Sequence, residues 1–395
     1  MKKITDLNLK ELNVLIRVDF NVPVNENKVL DIYRIEQSKK TIQYCLDNGA
    51  CVILMSHLGR PKNNQDTKYS LEPILFVLKE LFENDIYFSN DCISNNAIEF
   101  SNQLVPGEIH LLENLRFYEQ EKNNDTSFAN RLSEHADIYI NDAFGVCHRE
   151  HSSNCAILKY FDKNSTGYGF LIDREISYLK KILINPPKPF TVILGGAKID
   201  DKILMIENML NNICNLIIGG KMAFAFLKAN GEKVGGVKVD KKNENIAKEI
   251  IIKAKKRNVN IYLPKDFVCV ENIDNQEKTN IKNIQSLSEL DLGYDIGPES
   301  SLLFDHIIAD SKCILWNGPM GMFEKHQFAT GTDSVATSIG KTKANNTLSL
   351  IGGGDTASAV KSDHLKYNFT HISTGGGACL MILSGKNNKV IREIV

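Results

Sequence analysis

Short runs of apolar and β-branched residues alternate along the chain with longer amphipathic stretches, a pattern that predicts βαβ units and parallel sheets. In the first half the runs are VLIRVDF, CVILMSH, IYFSND, IHLLENL and DIYINDAF. In the second they are TVILGG, NLIIGG, NIYLPKDF, CILWNGP, LSLIGGG and FTHISTGGG. Between the two sets lies IDREISYLKKILINPPKP, where Ile172, Ile176, Leu179 and Leu183 recur at helical spacing until Pro186 and Pro187 stop the helix. The expectation is an α/β fold in two parts, with that helix as the connector.

Composition agrees with two cores. The chain has 395 residues, 43% hydrophobic and 24% charged, long for one domain and sufficient for two. A formal net charge of −1 argues against general electrostatic capture by nucleic acid or membrane. The opening MKKITDLNLKELN lacks the apolar segment of a secretory signal, and no apolar run approaches the ~18 residues of a membrane span. A cytoplasmic protein with no nucleic-acid or membrane partner is expected. Nine cysteines without a C-x-x-C pair read as reduced thiols, mostly in the core.

Open α/β sheets bind ligands at the carboxyl ends of their strands, so the residues that follow each run carry the chemistry. In the first half those ends are RVDFN, SHLGRP, ENLRFYE and NDAFGVCHREH. They bring Asp19, Asn21, His57, Arg60, Arg116, His148 and Arg149 to one rim, near Arg34 of LDIYRI. Guanidinium groups recurring at successive strand ends suit a small anion, because their fork matches carboxylate and phosphate. Arg17 lies inside its strand and reads as a structural ion pair. The second half's strand ends carry glycine instead, in GGAKIDDKI, GGKMAF, NGPMGMFE, GGGDTASA and STGGGA. Bare backbone with free N–H groups at helix starts is a phosphate-binding arrangement. Lys198 and Lys202, four apart, can face the same phosphate.

GGGDTASAV poses a difficulty, since Asp355 stands where it would repel a phosphate. Two unit charges about 4 Å apart interact by about 4 kcal/mol at an effective dielectric of 20. Either the loop binds no phosphate, or something positive stands between the two charges. Other motifs fail on their residues. NLIIGGKM has Asn215 and Met222 where a Walker loop needs Gly and Ser or Thr. Gly352, Gly354 and Ala357 satisfy G-x-G-x-x-A, yet the next strand ends in Ser373, Thr374 and Gly375 without the acid a nicotinamide ribose requires. HREH at His148–His151 has no third zinc ligand nearby.

The motifs RVDFNVP, SHLGRPK, LLENLRF, NDAFG, GGAKIDDKI, WNGPMGMFE, GGGDTASAV and STGGGA, in this order and over essentially the whole chain, resemble the phosphoglycerate kinase family. The resemblance implies two Rossmann-like three-layer domains joined by a hinge helix. The boundaries so implied are 1–170 for the phosphoglycerate domain, 171–187 for the hinge and 188–377 for the nucleotide domain, with 378–395 packing back on the first. It implies a cytoplasmic, monomeric glycolytic enzyme that reversibly transfers the acyl phosphate of 1,3-bisphosphoglycerate to ADP, giving 3-phosphoglycerate and ATP with Mg2+.

Carried over residue by residue, the resemblance puts the phosphoglycerate site on Asp19, Phe20, Asn21, Arg34, His57, Leu58, Gly59, Arg60, Arg116 and Arg149. It puts the nucleotide site on Gly195, Gly196, Ala197, Lys198, Lys202, Gly219, Gly220, Gly293, Asn317, Glu324, Gly352, Gly353, Gly354, Asp355 and Thr356. Asp355 is the implied metal contact. Arg34 and Lys202, assisted by Lys198 and the Gly375–Gly377 amides including Gly376, are implied to stabilise the transferred phosphoryl group. A carboxylate or diphosphate nucleophile is already ionised, so no general base is required. In-line alignment, charge neutralisation and closure that excludes water remain for the protein to supply. Three positions depart from the family pattern: Lys221 replaces a small residue, and Met381 and Ser384 in CLMILSGK stand where glutamate is common.

Overall fold

The computed structural model describes residues 1–271, 279–361 and 367–395. The chain divides into two compact units, Met1–Ser177 with Asn387–Val395, and Tyr178–Lys386. The sequence set boundaries at 170/171, 187/188 and 377/378, whereas contacts set them at 177/178 and 386/387. The first shift arises because the helix Phe170–Leu183 is anchored at its start inside the first unit: Phe170 N–H donates to Thr41 Oγ1, and Leu171 and Ile172 N–H both donate to Asp142 Oδ1. The second arises because the helix Gly376–Leu383 stays in the second unit, where Asn208 Nδ2 donates to Leu383 O. Only the last residues belong to the first unit, held by Asn388 Nδ2 on Cys147 O and Lys389 N–H on Glu150 Oε1.

The first unit is built on seven strands: β1 (Lys2–Lys3), β2 (Asn13–Arg17), β3 (Cys51–Met55), β4 (Ile86–Ser89), β5 (Ile109–Leu112), β6 (Ile138–Asn141) and β7 (Thr166–Tyr168). They form one sheet in the order β1-β7-β6-β2-β3-β5-β4, every neighbour parallel. The strands read as unbroken apolar runs because both faces are covered. Val14, Ile16, Val52, Leu54, Ile109, Leu111, Ile138 and Ile140 enter the core on one face, and Leu15, Ile53, Met55, Leu112 and Tyr139 the core on the other. That is the period of two expected of a pleated strand. The helix Tyr33–Asp47 buries Ile35, Ser38, Ile42 and Cys45, a helical stripe against the sheet.

The second unit contains β8 (Phe190–Leu194), β9 (Asn215–Ile218), β10 (Asn260–Tyr262), β11 (Asp266–Val270), β12 (Asn280–Asn283), β13 (Leu292–Ile296), β14 (Cys313–Asn317), β15 (Leu348–Gly352) and β16 (His371–Ile372). Six form a parallel sheet in the order β10-β9-β8-β14-β15-β16. The other three form a separate antiparallel sheet, β12-β11-β13. NIYLPKDF, read as one strand, is therefore two strands in two sheets. Pro264 has no N–H for a ladder and breaks the run between them. The small sheet has its own core of Phe224, Leu227, Phe267, Cys269 and Leu287.

Candidate active site

In the first unit the central strands β6, β2, β3 and β5 are neighbours and parallel, so their carboxyl ends share one edge. Backbone bonds stitch the outgoing loops together: Val18 N–H to Met55 O, Asp142 N–H to Arg17 O and Leu115 N–H to Ser56 O. Asn114, fully buried, clamps two of the loops. Its Oδ1 accepts from Leu58 and Arg116 N–H, and its Nδ2 donates to Leu58 O and Tyr69 O at 2.8 Å each.

On this frame the polar residues predicted from the sequence come together. Arg34, in the first turn of the helix Tyr33–Asp47, donates from Nη1 to Asp19 Oδ2 at 3.1 Å and to Asn21 O at 3.3 Å. Asn21 Oδ1 accepts from Gly59 N–H at 2.8 Å, and Gly59 O accepts from Arg116 Nη1 at 2.7 Å. Gly59 has φ +60°, and a Cβ there would run into the Tyr69 ring, which confines the position to glycine. Burial and the nearby Arg149 and Arg17 lower the Arg116 guanidinium to about 10. His57 is buried and held well below the usual histidine range, first by burial and then by Arg17, Arg116, Arg34 and Arg149. Four guanidinium groups thus act on one neutral imidazole, those of Arg34, Arg116 and Arg149 from the rim and that of Arg17 from the core beneath it. Arg149 also donates to His148 Nε2, while Arg60 is exposed. Phe20 and Leu58 send their side chains into the core, leaving only backbone for a ligand. Arg17 is fully buried and faces Glu121 Oε1 at 3.9 Å, the ion pair expected of a strand-interior arginine.

In the second unit the glycine loops meet at the carboxyl edge of the parallel sheet. Gly195 N–H donates to Asn317 O, Gly196 N–H to Pro319 O, Gly220 N–H to Met320 O and Met222 N–H to Gly196 O. Gly220 has φ +62°, and a Cβ there would sit 2.5 Å from Gly196 N, so close approach of the two loops depends on it. Thr356 is buried and accepts from Gly318 N–H at 2.6 Å, which fixes the GGGDT loop to the end of β14. Lys202 Nζ is held by the carbonyls of Gly195 and Asn317, whereas Lys198 is exposed. Burial lowers Lys202 to about 8, against the opposing pull of Asp355 and Asp201.

Beside these loops lies a cavity of about 570 Å³, within the range that holds a cofactor-sized ligand. Of the residues the family resemblance assigns to a nucleotide, Gly196, Ala197, Gly220, Gly293, Glu324 and Asp355 line it. Gly219, Asn317, Gly352, Gly353, Gly354 and Thr356 lie around the loops rather than on its wall. The sequence reading missed the apolar wall of Phe224, Phe267, Leu292, Tyr294, Met320 and Phe323; the Phe224 and Phe267 rings stack with centroids 4.4 Å apart. Lys221 and Asp295 line the cavity too, and burial pushes the Asp295 carboxyl up to about 7 while it accepts from Gly331 and Ile296 N–H. Ser384 returns its hydroxyl to Leu380 O of its own helix. Among the described residues, no three His, Cys, Asp or Glu side chains cluster as a metal site, and no helix is long and apolar enough to cross a membrane.

The chain matches the family model described as phosphoglycerate kinase over residues 4–386. It is 44% identical to the phosphoglycerate kinase of Finegoldia magna over 387 residues, 98% of this chain and 96% of that one. It is also 44% identical to that of Nitratiruptor sp. over 396 residues, covering 100% and 98%. Its fold is similar to the structure of phosphoglycerate kinase from Coxiella burnetii, with a TM-score of 0.86 at 32% identity over 99% of this chain and 98% of that one.

Proposed function

The chain belongs to the phosphoglycerate kinase family, and its activity is that of a glycolytic phosphotransferase with a carboxyl group as acceptor; we propose that its two rims divide the substrates between them. The observation that carries this is the segregation of chemistry: four guanidinium groups around His57 in the first unit, and a glycine-walled apolar cavity in the second. The basic rim suits 3-phosphoglycerate or 1,3-bisphosphoglycerate, small polyanions that arginine forks can grip. The apolar wall suits the base of ADP or ATP, Glu324 can accept from ribose hydroxyls, and the glycine loops offer N–H groups to the phosphates.

Asp19, Asn21, His57, Gly59, Arg60, Arg116 and Arg149 hold the three-carbon acid in this reading, and Arg34 and Lys202 neutralise the phosphoryl group in flight. Arg34 is pre-positioned by Asp19, and Lys202 by two carbonyl oxygens, so neither needs reorganising when charge develops. The acceptor carboxylate of 3-phosphoglycerate is ionised at neutral pH, which leaves alignment and electrostatics as the protein's task. Transfer requires that the two bound substrates meet with water excluded.

Mg2+ fits the donors present. It commonly keeps several waters and takes one or two carboxylates plus substrate phosphates, and Asp355 stands exposed on the cavity wall to serve as one. When bound, the ion would neutralise phosphate charge. We also place the enzyme in the cytoplasm as a monomer. All nine cysteines are unpaired, as in a reducing compartment.

Calorimetry with Arg34→Met tests the division. The variant should lose 3-phosphoglycerate affinity ~10-fold or more and bind ATP as the wild type does. Equal loss of both ligands, with the fold intact, would overturn the assignment of the rims.

A further inference from the structure

Beneath the basic rim a buried network ends on one nitrogen of His57. Arg17, the last residue of β2, donates from Nε to Ser153 Oγ at 2.8 Å and from Nη1 to Val18 O. The Ser153 hydroxyl donates to Glu121 Oε1 at 2.7 Å, and the Ser153 amide to Glu121 Oε2 at 2.9 Å. Glu121 is fully buried and also faces His151 Nδ1 at 3.6 Å. The guanidinium is therefore held from two sides, and its Nη2 lies 3.3 Å from His57 Nδ1.

A guanidinium can only donate, so His57 Nδ1 must accept. In a neutral imidazole one nitrogen accepts and the other carries the proton, which places the His57 proton on Nε2. The ring is neutral for the reason already given: burial together with Arg17, Arg116, Arg34 and Arg149. The competing arrangement, with Nδ1–H donating to Asp19, is not made. Asp19 Oδ1 is 4.0 Å from Nδ1, and the other Asp19 oxygen is taken by Arg34. Among the described residues nothing accepts from His57 Nε2.

We infer that Arg17 is a positioning residue that fixes His57 in its Nε2–H tautomer, so that His57 offers an anionic three-carbon substrate an N–H donor. The opposite tautomer would turn a lone pair toward an anion's oxygen, which repels. This rests on the assignment of the basic rim to phosphoglycerate. Arg17 itself touches no substrate in this scheme. Its effect passes through the imidazole, and Glu121 and Ser153 act one step further back by holding the guanidinium.

The tautomer is readable in the free protein from the two ring nitrogens in 15N-histidine NMR, with His57→Gln used to assign the signal. The expected spectrum has Nε2 protonated and Nδ1 bare; a protonated Nδ1 in the wild type would overturn the inference whether or not any variant folds. Arg17→Lys keeps a cation opposite Glu121 but cannot span all the partners. It should give a mixed tautomer and weaken 3-phosphoglycerate ~10-fold while ATP affinity stays unchanged. A folded Arg17→Lys protein with the wild-type tautomer and wild-type affinity would overturn the inference. Failure of the wild type to bind 3-phosphoglycerate would instead overturn the substrate assignment, leaving the tautomer to the spectrum.

Discussion

Lys202 Nζ donates to the carbonyl oxygen of Asn317 over 2.8 Å, placing an ammonium group against the end of β14 and next to the glycine loops. Burial costs that ammonium group its hydration and lowers it to about 8. In nucleotide-free protein the charge is therefore present below about pH 8 and lost as pH rises through it. Bound phosphate restores it. The expected profile has kcat/KM for ATP falling above pH 8 while kcat holds to higher pH. Lys202→Met should lose ~10²–10³-fold in kcat and lose the alkaline limb. A limb that persists in this variant would assign it to another group.

The same lysine carries a stability consequence of opposite sign. Its folded pKa lies below its unfolded value of 10.5, so the unfolded chain binds the extra proton between about pH 8 and 10.5, and stability rises with pH across that window. Lys202→Met removes a buried charge and should leave the Tm at pH 7 equal or higher, even as activity is lost. A fall in Tm would mean that the two carbonyl bonds outweigh desolvation.

The rim in the first unit was legible because its residues are conspicuous by type. Charged groups such as Arg34, Arg116 and Arg149, following apolar runs, cannot be core without partners. The apolar wall of the second unit was not legible, because Phe224, Phe267, Tyr294 and Met320 have the same composition as a core and only folding leaves a void between them. The small antiparallel sheet escaped for a related reason: β11 pairs with β12 and β13, and the pairing appears in the chain only as short runs around Pro264. A strand-interior arginine such as Arg17 predicts an ion pair, but its partner Glu121 sits in YEQEK, where nothing marks one acid above the other.

Gly354 separates packing from ligand binding. Its Cβ would meet no atom within 4 Å, so the protein itself leaves the space open. Alanine favours a helix over glycine by up to about 1 kcal/mol. Gly354→Ala should thus keep or raise Tm while weakening ATP ~10-fold in calorimetry, because the added methyl occupies space assigned to the nucleotide. Unchanged affinity would move the phosphates away from this loop.

Asp355 should matter only when the nucleotide brings its cation. Asp355→Ala is expected to weaken Mg2+–ADP ~10-fold and to leave Mg2+-free ADP within about twofold, or to tighten it by removing a like charge. Titrations of both forms by calorimetry check this. Equal losses would make Asp355 a structural group at the start of the helix Gly354–Lys361.

A buried polar chain in the first unit sets the response to acid. His135 Nε2 donates to Cys92 O, so its Nδ1 must accept from the Ser101 hydroxyl at 2.7 Å. Ser101 Oγ, its proton committed, accepts from His110 Nδ1 at 2.8 Å, which leaves His110 Nε2 to accept from Ser89 Oγ at 2.7 Å. Every group is satisfied only while both rings are neutral, and burial lowers His110 to about 3 and His135 to about 4. The unfolded chain takes up these protons below about pH 6.5, so the stability is intact above that pH and is lost as pH falls toward 4. Each ring contributes a slope of about 1.4 kcal/mol per pH unit. Ser101→Ala strands one donor and one acceptor and should cost about 1–3 kcal/mol in urea unfolding at pH 7. A cost below about 0.5 kcal/mol would show that the two imidazoles find other partners when the hydroxyl is gone.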